Sequence, residues 1–173
     1  MKKREALSLF AGLAILALTA AASGAPRAGS PGDDNPDVLE VRHYHLTLDK
    51  AEKTGTAMQS INQLIASNPS LSAAMDAGSD TTGKKPITQQ AQDIDTKYPQ
   101  VAAIIHANGL ATREFIVITG AIINDAGFVG LKKQGLISSY PANSIIPENA
   151  ALVEQNWDKF QAIMAKMTPP DIR

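Results

Sequence analysis

Nine consecutive near-apolar residues, Phe115-Ile116-Val117-Ile118-Thr119-Gly120-Ala121-Ile122-Ile123, constrain this chain more than any other feature. They lie in a helical segment that opens near Thr112. It ends at Lys132 and Lys133, whose charges suit a helix C-terminus, with Gly135 as the stop. The run meets the polar pair Asn124-Asp125 too soon to cross a bilayer. A helix apolar on most sides is normally buried at the centre of a fold, so the rest of the chain must cover it. Gly120, Asn124 and Gly127 form a thin stripe along which another helix could approach closely.

The flanking segments have the period to do so. Thr47 caps a helix with Asp49 in its first turn, and Ala51, Met58, Ile61 and Ile65 mark its apolar stripe. Asn68-Pro69 ends it, and Ser70 caps a short helix through Leu71, Ala74 and Met75. After an exposed loop at 78–86, a helix from Thr88 carries Ile87, Ala91, Ile94 and Tyr98 on one side. Pro99 opens another short helix, which Asn108-Gly109 stops. Past a loop at 136–146, Pro147 begins a last helix. Its seam is Val153, Trp157, Phe160, Met164 and Met167. Val38–Leu46 alternates too poorly for a strand and has no strand to pair with; it reads as an extended lead-in or a frayed helical turn. The expected fold is all-α, an irregular bundle of five or six helices around residues 112–134.

The N-terminus carries a different signal. Lys2-Lys3-Arg4, an apolar stretch from Ala6 to about Ala22, and the small residues Ala20–Ala25 make the three-part pattern of a cleavable export signal. Residues 1–22 are the expected signal peptide, cut after Ala22 or Gly24. Residues 23–37, rich in Gly, Pro, Ser and Asp, form the expected disordered leader, and 38–173 the single helical domain.

Composition removes several function classes. The net charge is −1, and the signal takes away three bases against one acid, so nucleic acid is not an expected partner. With no cysteine, disulfides, thiolate metal sites, cysteine nucleophiles and lipid-modified cysteines are all excluded. The expected mature protein is periplasmic or secreted, with no transmembrane segment after signal cleavage.

Few residues offer chemistry. In an extended segment His43 and His45 point the same way, and with Glu40 or Asp49 they could hold a divalent metal; a surface lead-in with Tyr44 turned inward is the plainer reading. Otherwise no cofactor is expected. His106 suits a helix C-terminus, and Arg113-Glu114 an exposed first turn. Asn124 and Asp125 either face a cleft or form the narrow solvent side of the greasy helix. Gly127-x-x-Gly130-Leu131-Lys132-Lys133 is no phosphate loop, because it follows no strand and its lysines sit at the wrong helix end. No catalytic residue is identified, and no nucleophile has a visible base.

Four stretches carry a family resemblance: Tyr44-His45-Leu46-Thr47-Leu48-Asp49-Lys50, Gly109-Leu110-Ala111-Thr112-Arg113-Glu114-Phe115, Gly130-Leu131-Lys132-Lys133-Gln134-Gly135 and Val153-Glu154-Gln155. Together they resemble small exported bacterial helical proteins of unknown function. The resemblance implies export and helicity and no activity. Helical periplasmic chaperones are similar in size, but their Leu-Thr-x-x-Gln repeats are absent. Three functions follow in order: a non-enzymatic periplasmic binding or accessory protein for a partner protein or small apolar ligand; a metal-handling protein using His43 and His45; and an enzyme whose site assembles around Asp125.

Overall fold

Residues 35–78 and 85–169 are described by the structure, a computed structural model. The expected signal peptide and nearly all of the leader lie outside them. Among the described residues the chain is all-α, with eight helices: α1 (Pro36–Arg42), α2 (Leu48–Ser67), α3 (Pro69–Gly78), α4 (Ile87–Lys97), α5 (Pro99–Ala107), α6 (Thr112–Lys133), α7 (Pro147–Gln155) and α8 (Trp157–Met167).

The greasy segment is the centre. α6 packs against α1, α2, α4, α5, α7 and α8. By length and composition it could cross a membrane, yet 72% of its most apolar stretch is buried inside the fold. Ile118, Ile122 and Val129 of α6 meet Met58 and Ile61 of α2, Ile105 of α5, Val153 of α7 and Phe160 of α8 in one continuous core. α2 lies against α8, where Gly55 makes room: a Cβ there would sit 3.0 Å from the Ile163 side chain.

Most helix ends follow from local chemistry. The Thr47 hydroxyl accepts from the Lys50 amide at 3.3 Å, as a capping residue should. Pro99 and Pro147 occupy first turns. Gly109 and Gly135, both at positive φ, follow the ends of α5 and α6. Glu114 reaches back to the Ala111 amide, a capping box in which the first residue lacks its own side-chain acceptor.

Five expectations need correction. The described residues form eight helices rather than five or six. Val38–Arg42 is helix, part of α1; Asn35 caps it by accepting from the Asp37 amide at 3.0 Å, and Pro36 opens it. Helix α3 starts at Pro69 rather than after Ser70, because the Asn68 side chain takes the Leu71 amide at 3.1 Å. The last helix breaks at Asn156, whose backbone N–H and side-chain amide both donate to the Leu152 carbonyl, at 3.1 and 2.9 Å. Beyond the break the seam shifts: Val153, Phe160 and Ile163 are buried, while Trp157, Met164 and Met167 are half-buried. Finally, Asn124 and Asp125 are no solvent face: both are buried. The stripe through them works in part. Gly120 admits Val41 of α1, 3.0 Å from where a Cβ would stand, whereas Gly127 is exposed with open space beside it.

Candidate functional site

Where α6 ends, the chain loops back through 134–146 and enters α7. Between that loop, α7 and the end of α1 lies a groove of about 560 Å³. Its apolar surface comes from Pro141, Ile145, Ile146, Ala150 and Ala151. Its polar groups are Arg42 and His43 from the end of α1, Lys132 from α6, Tyr140 from the loop, and Glu154 from α7.

Three of these groups are joined. Lys132 Nζ donates to Glu154 Oε1 at 2.8 Å, and the Tyr140 hydroxyl donates to the same oxygen at 2.6 Å. The ammonium also lies 4.6 Å from the Tyr140 ring centroid, close enough for a cation–π contact. Lys132, and then Tyr140, hold the Glu154 carboxyl below its ordinary range. Burial, and then Glu154, push the Tyr140 phenol up, so it remains a donor. The trio fixes the rim without spending the second Glu154 oxygen.

Behind the groove lies the pair singled out in the sequence. Asp125 is 0% exposed. Its Oδ1 accepts from Asn124 Nδ2 at 2.9 Å and its Oδ2 from Asn149 Nδ2 at 2.6 Å. The two amides continue outward: Asn124 Nδ2 donates to the Ser144 carbonyl and Asn149 Nδ2 to the Tyr44 carbonyl, both at 2.8 Å. Asn149 Oδ1 accepts the Leu46 amide at 3.0 Å. Burial pushes the Asp125 carboxyl up to about 6, against the opposing pull of the two amides. Neither Asn124 nor Asp125 lines the groove; the pair stands behind its walls. Asn149 has no mark in the sequence, since nothing there distinguishes it from an exposed first-turn polar residue.

His43 closes α1 and His45 lies between α1 and α2; both are exposed. No three metal-ligating side chains gather among the described residues. Tyr44 does turn inward, but to a polar clip: its hydroxyl donates to Glu114 at 3.0 Å and accepts from Lys50 at 2.9 Å, while Lys50 reaches Glu114 at 2.6 Å. Arg113 grips Glu40 with both terminal nitrogens, pinning α1 to α6. The pair Arg113-Glu114 is therefore a double anchor rather than an idle surface feature.

His106 also has an unexpected neighbour. The Thr112 hydroxyl donates to Asp95 Oδ1, and His106 Nε2 lies 3.2 Å from that hydroxyl. The set has the residue types of a nucleophilic triad, but the wrong geometry: Asp95 holds the hydroxyl instead of orienting the imidazole, and Thr112 is buried. It staples α4, α5 and α6. Spacing along the chain could not reveal it, because its members sit on three helices.

Compared with protein-family models, curated proteins and solved structures, the chain matches none.

Proposed function

We propose that this chain is an exported, non-enzymatic binding protein whose groove holds a small ligand with an apolar body. The observation that carries the reading is the groove itself. Its volume, about 560 Å³, falls within the roughly 300–1,000 Å³ common for small-molecule sites. An apolar body fits against Ile145, Ile146 and Ala151. Export rests on the basic n-region, apolar stretch and small-residue cleavage site at the N-terminus.

The test uses 8-anilinonaphthalene-1-sulfonate, a fluorescent dye with an apolar ring system and a permanent anionic group. Saturable, one-to-one fluorescence enhancement is expected at neutral pH. Ala151→Trp, which fills the groove from an exposed position, should abolish it while near-ultraviolet circular dichroism confirms the fold. Lys132→Met should weaken it about tenfold by removing a charge-assisted contact. Absence of saturable binding, or binding indifferent to Ala151→Trp, would overturn the reading.

A further inference from the structure

We propose that Asp125 is a proton-sensitive positioning residue: through Asn124 and Asn149 its carboxylate fixes both walls of the groove, and taking up a proton releases them. The proposal rests on the groove reading above and concerns how that site is regulated.

The geometry is a symmetric pair of bridges. Each carboxylate oxygen receives one hydrogen from one amide, and each amide sends its other hydrogen to a backbone carbonyl. One carbonyl belongs to Ser144, between Asn143 and Ile145, which both line the groove. The other belongs to Tyr44, immediately after His43 on the opposite wall. Asn149 itself sits between the lining residues Pro147 and Ala150. Both walls are thus tied to the same carboxylate.

A buried carboxylate with two N–H donors and no cation is poised between two penalties. Ionised, it satisfies both amides but sits in an apolar interior. Protonated, it becomes a weaker acceptor and gains an O–H that itself needs an acceptor, which a turned amide would supply. Turning Asn149 exchanges its oxygen and nitrogen, which breaks the bonds to both Tyr44 and Leu46. Turning Asn124 breaks the bond to Ser144. Either way a wall loses its tie, with only a proton exchanged with solvent. The charged and titratable groups on the surrounding elements are engaged elsewhere. Lys50 of α2, Glu114 of α6 and the Tyr44 hydroxyl bind one another, Tyr140 and Lys132 hold Glu154, and His43, His45 and Glu148 are exposed. At Asp125 itself, burial and the two amides set the carboxyl's position. The carboxyl's position near 6 places the step within reach of ordinary environmental pH.

Release of the walls weakens dye binding. His43 lines the groove, and the test is run without it. In a His43→Gln background, the dye's affinity should fall about tenfold between pH 7.5 and 5.0, an ordinary size for a coupling between two sites. Adding Asp125→Asn should leave the remaining affinity flat with pH. A carbon NMR titration of the Asp125 carboxyl, in the otherwise native protein, covers the case where that variant fails to fold. The side-chain amide signals of Asn124 and Asn149 should move with the same midpoint. Dye binding whose pH dependence survives Asp125→Asn, or amide signals that ignore the carboxyl's titration, would overturn the latch while leaving the groove standing. No dye binding at any pH would instead remove the groove reading on which it depends.

Discussion

A carboxylate without an exposed atom is an expensive residue, and Asp125 carries a thermodynamic signature that can be measured. Its pKa of about 6 in the folded chain exceeds the ordinary value of 3.8. The native state therefore binds more protons than the unfolded state between these values, and stability falls as pH rises across them. The contribution is fully present below the unfolded value and lost above the folded one. A rise of this size amounts to about 3 kcal/mol. Urea unfolding at pH 4 and pH 7 should show a loss of that order in the native chain relative to Asp125→Asn; equal pH dependence in the two would contradict the burial. Asn149→Leu should cost about 3 kcal/mol at pH 7, because it strands the Leu46 amide, the Tyr44 carbonyl and half of the carboxylate. Thermal unfolding would read that. The sequence already sets Asn124 and Asp125 apart as polar residues in a greasy helix. Their burial is not legible there, because the partner that makes it tolerable is on another helix.

At the scale of elements, α1 shows how a short helix with no buried residue of its own is held in place. Asp37 Oδ2 accepts the Ile87 amide at 2.8 Å and so caps α4, which has no capping side chain of its own. Glu40 binds Arg113, and Val41 enters the gap left by Gly120. Asp37→Ala should cost about 1 kcal/mol, the usual worth of a cap. Faster hydrogen exchange confined to the first turn of α4 would locate the loss; unchanged exchange there would contradict the role. Long, strongly periodic elements such as α2 and α6 are legible in the sequence, and so are caps such as Thr47 that act within their own helix. A cap supplied by Asp37 from fifty residues upstream leaves no local trace. Nor does periodicity reveal the break at Asn156, since the apolar spacing continues across it.

The whole molecule is organised by its greasiest helix. Because α6 is apolar nearly all round, it needs neighbours on every side, and the shorter helices around it, without a cysteine, accomplish this by packing alone. Phe160→Ala, which empties a fully buried site where α8 meets that core, should cost about 3–5 kcal/mol in denaturant unfolding. The groove exists because the chain must turn back from the end of α6 into α7, and its location could not be read from sequence: its lining is drawn from residues 42 to 154. Export is a separate expectation at this scale. Expression with the native N-terminus should yield a periplasmic protein whose intact mass begins at Ser23 or Ala25, whereas an uncut mass would contradict it.

Whether the groove binds a small ligand with an apolar body is decided by chemical-shift mapping with decanoate at pH 7.5. Saturable shifts gathered on Arg42, His43, Lys132 and residues 140–154 are expected. Shifts scattered over exposed apolar side chains such as Leu39 and Leu136, or none at all, would contradict the binding role.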